Sequence, residues 1–169
     1  SDQVRVAAID NASTSMEWAV GPHLPSPRAH HASFKFANRI YLFGGENLDG
    51  PIAYVLRTTR DADGVVDGWE SVGTIDAPPL GEGALSYARS AWLLGGIEGG
   101  SFDGQATARV RRAALGADGH VGSFEDVDPL PVPLANAAFA TSGRAVYLIG
   151  GQSGPDLEAV PTVLVGRLE

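Results

Sequence analysis

The chain has 169 residues, 44% hydrophobic and 19% charged, with a mean hydropathy of zero; this composition builds one ordinary folded domain and excludes a disordered chain. Twelve basic against twenty acidic residues give a formal charge of −8, which argues against nucleic acid or an anionic membrane surface as the main partner. The absence of cysteine excludes a disulfide framework, a thiolate nucleophile and a cysteine-built metal site, and no apolar run is long enough to span a bilayer.

The 22 glycines and 11 prolines beside ample apolar content predict many short strands joined by tight turns, so an all-β fold is expected. In chain order, residues 4–9 read as one strand and Trp18 opens another. Residues 32–36 alternate, a turn at Asn38-Arg39 follows, and residues 40–43 form a continuous apolar run, the pattern of a strand covered on both faces. Residues 54–59 are apolar and β-branched, Asp63-Gly64 supplies a hairpin turn, residues 69–72 form a closing strand, and Pro78-Pro79 stops it. Residues 91–94 repeat the apolar run, Val110 opens a strand, Asp118-Gly119 repeats the turn, and Phe124 stands where Trp69 stood. Residues 145–149 and 162–165 provide the last strands, and no segment shows a helical period.

Three markers recur in one phase. The doublets Gly44-Gly45, Gly95-Gly96 and Gly150-Gly151 are 51 and then 55 residues apart, as are Trp18, Trp69 and Phe124, and a valine (Val4, Val55, Val110) lies 14 residues before each aromatic. The glycine pairs read as crowded strand ends that need close backbone approach, because a phosphate cradle needs a following helix. The aromatics read as packing anchors between units.

A four-stranded unit of about 50 residues marked by paired glycines and a later tryptophan resembles the kelch-repeat family, in its bacterial variety. The resemblance rests on the glycine pairs, Tyr41 and Tyr147 before two of them, Trp18, Trp69, and Pro27-Arg28-Ala29-His30-His31, which is similar to the family's strand opening. It implies a β-propeller arc of about three four-stranded blades in a single domain, 1–169, with half-blades at 1–22 and 134–169 and full blades at about 29–73 and 81–127. Closed propellers need roughly four to eight blades. The expectation is therefore a homodimer that completes six blades, with a fragment of a longer protein as the alternative.

Strand alternation places the longer loops, which begin at Glu46, Ile97 and Gln152, on one face, together with the strand openings at Arg28, Glu82 and Pro133. Ligand contacts are expected there from Arg28, His30, Glu46, Asp49, Glu98 and Gln152. This face also carries Glu82, Asp103 and Asp156 and should be acidic. Neither a metal nor a cofactor is expected. His30 and His31 point to opposite faces if extended, and Asp61-Ala62-Asp63-Gly64 reads as a hairpin turn and not as a calcium loop. On the strand at Val110, Arg109 and Arg111 share one face and Arg112 takes the other, at the place of Arg57. The expected function is a non-catalytic scaffold binding a protein, peptide or saccharide. The alternatives are an epimerase-like, sugar-modifying enzyme on the same fold and a structural part of a larger protein. No secretory leader is visible, and the compartment is left open.

Overall fold

Alternation and turn chemistry produce thirteen principal strands and three small two-stranded ribbons in a computed structural model that describes residues 1–7, 16–62, 64–78, 80–99 and 104–168. In order they are β1 (Arg5–Ala7), β2 (Trp18–Val20), β3 (Ala32–Phe36), β4 (Arg39–Phe43), β5 (Glu46–Asn47), β6 (Gly50–Pro51), β7 (Tyr54–Thr59), β8 (Glu70–Thr74), β9 (Gly83–Tyr87) and β10 (Ser90–Leu94). There follow β11 (Ile97–Glu98), β12 (Gln105–Ala106), β13 (Val110–Ala114), β14 (Glu125–Val127), β15 (Ala138–Ser142), β16 (Ala145–Ile149), β17 (Gln152–Ser153), β18 (Glu158–Ala159) and β19 (Val163–Arg167). The expected strand residues Ala8 and Ile9, Asp63, Pro79 and Asp103 lie outside the described residues.

Every pairing is antiparallel between neighbours. The β1–β2 hairpin is followed by a first sheet β3-β4-β7-β8, a second sheet β9-β10-β13-β14 and a third sheet of three strands, β15-β16-β19. The ribbons β5–β6, β11–β12 and β17–β18 are built into the loops after the glycine pairs, where sequence reading placed only loop. A bridge ties each ribbon to the strand opening: Ala29 to Glu46, Leu80 to Ile97, and Ala135 to Gln152. This crossing explains the second glycine of the pair. A Cβ on Gly45 would lie 2.5 Å from the Ala29 carbonyl, one on Gly151 would lie 2.5 Å from the Ala135 carbonyl, and both residues have positive φ.

The sheets are buried against one another in chain order. Phe34, Tyr41, Phe43 and Val55 of the first sheet pack with Ala91, Leu93, Ala113 and Val121 of the second unit. Leu85, Leu94 and Val110 on the second sheet's other face pack with Val146 and Leu148 of the third. Leu42 and Leu56 on the first sheet's other face meet Leu24 and Val4 near the hairpin. Both faces of the central sheets are thus covered, the reason their second strands are continuously apolar.

The aromatic markers are unequal. Phe124 meets Phe43 edge-on at 6.0 Å and Trp69 is half-buried against Leu42 and Leu56, but Trp18 is 58% exposed. The expectation that all three anchor interfaces is corrected for Trp18: β1–β2 is a lone pair of strands with nothing described on its outer side.

Two kinds of polar contact tie sheet to sheet. At one end the main chain runs a relay from opening to opening: Gly81 N donates to His30 O at 3.0 Å, and Asn136 N donates to Gly81 O at 2.9 Å. At the outer end the Asp118-Gly119 turn of the second unit reaches back onto the first sheet. Arg57 Nη1 donates to Asp118 O at 2.6 Å and Tyr41 OH donates to Gly119 O at 3.0 Å, while Arg57 is also paired with Glu70.

Candidate functional site

The Arg28 side chain is held in place by three features of the local chain. Its residue is 5% exposed, its Nη1 donates to Gly44 O at 3.2 Å, and its guanidinium lies 4.9 Å over the Tyr54 ring. Tyr54 OH is in turn fixed by a short hydrogen bond with Ser26 Oγ. Arg28 Nε and Nη2 are buried without a hydrogen-bond partner among the described residues. Burial pulls the Arg28 pKa below the ordinary guanidinium value, against the opposing pull of Tyr54.

Beside it opens a cleft of about 420 Å³ lined by Pro27, Arg28, Ala29, Glu46, Leu48 and Asp49, with Ser1 and Asn47 completing the wall. The β5–β6 ribbon forms one side. Asp49 N donates to Asn47 Oδ1 at 2.8 Å, Gly50 turns at φ 116°, and Leu48 stands fully exposed at the tip. His30 Nδ1 lies 3.3 Å from Glu46 Oε1. His30 has φ 55°, so it is not extended, and the strict alternation expected of His30 and His31 does not apply. Burial, with the Arg28 and His30 charges nearby, holds the His31 imidazole below its usual pKa.

Four of the six expected contact residues, Arg28, His30, Glu46 and Asp49, therefore belong to one place. The other two belong to the neighbouring openings. Glu98 lies 3.6 Å from Arg109 Nη1, and Arg109 also forks onto Asp126, whose carboxylate it holds below the usual range. Gln152 accepts from Asn136 Nδ2 at 2.7 Å and donates to Leu157 O at 2.8 Å, so its amide is spent on holding its own loop.

Glu82 departs from the expectation of a surface acid. It is 8% exposed, and both carboxyl oxygens are buried without a hydrogen-bond partner among the described residues. Burial raises its pKa to about 8, its own main-chain N–H and then the positive charge of Arg111 opposing only in part. Arg111 is itself buried and donates to Asp76 O at 2.7 Å. Sequence reading had no signal for this. An acid at a strand opening looks solvent-facing until the neighbouring sheet is packed over it.

Chemically, the cleft combines a buried guanidinium held on a tyrosine ring in its wall, two carboxylates on the rim and an apolar lining. Among the described residues no group of three His, Asp or Glu side chains is placed to hold a metal ion, and no helix is long and apolar enough to cross a membrane.

No family model matches the chain. It is 24% identical over 144 residues to Beta-scruin of Limulus polyphemus, a kelch-repeat protein, a match covering 81% of this chain and 14% of that one. Among solved structures, that of YjhT superposes with a TM-score of 0.73 at 15% identity, over 99% of this chain and 59% of the other. The chain spans a small part of the first protein and three-fifths of the second. The first likeness supports kelch-type repeats, and the second shows a shared all-β fold.

Proposed function

We propose that the chain is a non-catalytic, kelch-type binding scaffold whose loop face, at the Arg28 cleft, takes a protein, peptide or saccharide bearing a carboxylate beside hydroxyl, amide or ammonium donors. The Arg28 guanidinium carries this reading: it is pre-placed on Tyr54 at the cleft wall, and its buried Nε and Nη2, unpaired among the described residues, meet a carboxylate once the apolar wall gives way. A rigid charged donor loses little freedom when it accepts a carboxylate, and forked contacts to such groups are the strong ones. Glu46 and Asp49 face the same opening and suit the ligand's donors. Kelch-type repeats in the partial relative support a scaffold of this class.

A blocked tetrapeptide of alternating Asp and Lys is a direct probe. Titration is expected to move the Arg28 Nε–H resonance. Arg28→Lys should weaken binding about tenfold, because the fork is lost. Asp49→Ala should weaken it without moving the melting temperature, as exposed substitutions do, and Glu46→Ala, which also removes the half-buried contact with His30, should weaken it with a small drop in melting temperature. Binding that survives all three changes but fails when the Asp118-Gly119 turn is altered would place the site on the opposite face.

The second reading is a small-molecule or sugar-modifying enzyme, and the observation favouring it is Glu82, a carboxyl that keeps its proton past neutrality, as a general acid does. Turnover of a sugar lost in a folded Glu82→Gln variant would replace the scaffold reading.

In the scaffold reading the sheets are blades, and two copies close one six-bladed ring. Supporting this are the bare outward face of the third sheet, with Ile149, Val163 and Val165 at 47%, 59% and 62% exposure, and the exposed Met16, Trp18 and Val20 of the hairpin region. Sedimentation is expected to give twice the mass of 17.5 kDa at micromolar concentration, and a stable monomer would overturn the ring.

A further inference from the structure

Strand pairing lets the three units be compared place by place. Leu42, Leu93 and Leu148, each two residues before a glycine pair, stand opposite Leu56, Arg111 and Leu164 on the neighbouring strands. Leu56 and Leu164 pack among apolar side chains. The fold is therefore served by leucine at this place, and the second unit puts a guanidinium there. Arg111 is nonetheless only 4% exposed.

A buried cation is costly unless negative charge reaches it. Among the described residues Arg111 makes no ion pair; it feels Glu82, Asp126 and Glu98 without a bond to any of them. Glu82 holds its proton to about pH 8 and is neutral at pH 7, while Asp126 and Glu98 are engaged with Arg109. Burial and then the charge of Arg109 keep the Arg111 pKa below the ordinary guanidinium value, as expected of a cation short of a counterion.

Arg111 lines a cavity of about 250 Å³ between the first and second sheets. The first sheet contributes Thr74 at the end of β8, with Asp76 just beyond it, and the second unit contributes Arg109, Ser123 and Phe124. One side is closed by main chain, where Val121 N donates to Val72 O at 2.9 Å. The guanidinium is held firmly. Nη1 donates to Asp76 O at 2.7 Å and to Ala77 O at 3.4 Å, and the group lies 5.9 Å over the Phe124 ring. Ala77 has φ 46°, so the turn that presents these two carbonyls is bent into the left-handed region. Among the described residues Arg111 Nε and Nη2 make no hydrogen bond and, unlike those of Arg28, are not shut off from the cavity that the side chain lines.

We propose that this cavity binds one free tetrahedral oxyanion, phosphate or sulfate. Arg111 donates from Nε and Nη2 to two of its oxygens, Arg109 adds charge, and the Thr74 and Ser123 hydroxyls in the wall serve the others. Asp76 is exposed and gives Arg111 its carbonyl, not its carboxylate. The volume lies below the roughly 300–1,000 Å³ of drug-sized ligand sites, which favours the bare ion over an ester with a carbon skeleton. This site is separate from the Arg28 cleft and does not depend on the function proposed for it.

The test uses the whole chain with sodium phosphate and sodium sulfate, against sodium chloride at equal ionic strength. In ¹⁵N–¹H spectra the Arg111 Nε–H signal should move to saturation on titration, and equally so in Arg28→Lys. Arg111→Leu installs the side chain of the other two units, so the variant is expected to fold, and it should lose at least about tenfold in affinity. Arg109→Gln should bind more weakly than the parent. In thermal melts either ion should stabilise the parent more than Arg111→Leu, which keeps only the general effect of such salts. An Arg111 signal that stays still at millimolar phosphate and sulfate, a reading that requires no variant, overturns the proposal. Equal stabilisation of the parent and Arg111→Leu overturns it too, and tighter binding of glucose 6-phosphate than of phosphate would give the cavity to an ester and overturn the free ion.

Discussion

Between pH 4.5 and about 8 the protein is expected to lose stability as the solution becomes more basic, and Glu82→Gln is expected to remove most of that loss. The folded chain holds the Glu82 proton up to about pH 8, whereas the unfolded chain releases it near 4.5. In this window the folded state binds more protons, so raising the pH favours unfolding. At about 1.4 kcal/mol per pKa unit the effect is on the order of 5 kcal/mol across the window. His31 works the other way. Its pKa is depressed in the fold, so its contribution is present above its unfolded value and is lost as the pH falls. The measurement is therefore the difference between the parent and Glu82→Gln in urea melts at pH 5 and pH 8. The variant should match the parent at the lower pH and exceed it clearly at the higher. Parallel behaviour of the two proteins would mean that Glu82 reaches water or a partner.

Phe43→Ala is expected to cost about 3–5 kcal/mol, the range for emptying a fully buried aromatic site. Phe43 has no exposed surface, stacks on Phe34 at 5.0 Å and receives the edge of Phe124 from the second sheet. Its removal opens a cavity at the interface that joins two sheets, with no flexible side chain to fill it. At a concentration where the chain is monomeric, Trp18→Ala should cost under about 1 kcal/mol despite deleting a larger group, because more than half of Trp18 lies in water in a single chain. Thermal melts of the two variants verify the order. Comparable shifts would mean that the hairpin is buried against another surface in solution.

Legibility in the sequence followed the range of the interactions involved. The strands from Ala32 to Val127 came out of alternation, continuous apolar runs and Asp-Gly turns, all of them local. The phase of the glycine pairs also located the loop openings, and in the structure Arg28, Glu46 and Asp49 line one cleft with His30 beside Glu46. Two-residue ribbons such as β5–β6 leave no periodic trace and were invisible. So was the burial of Glu82, because it depends on a sheet that begins some fifty residues away in the chain. The Arg57 contact was half visible: its match to Arg112 could be read from spacing, but its purpose required the Asp118 carbonyl, which comes from another unit. Trp18 misled because its spacing is that of an anchor, although the sheet it would anchor is only a hairpin.

The relay through residues 30, 81 and 136 has a consequence for how freely such a chain can drift. Its three members are histidine, glycine and asparagine, which share little chemically beyond the ability to sit at φ 55°, 62° and 52°. The joint is made by main-chain groups that every residue except proline possesses in full, so the architecture selects a backbone angle and leaves the side chain unassigned. New recognition chemistry can be tried at each opening without renegotiating the joint, and one unit can change independently of its neighbours. The cost is modest, about 1–2 kcal/mol of left-handed strain for an ordinary side chain. Such a scaffold can acquire unlike ligands by mutation at three places while its skeleton stays the same.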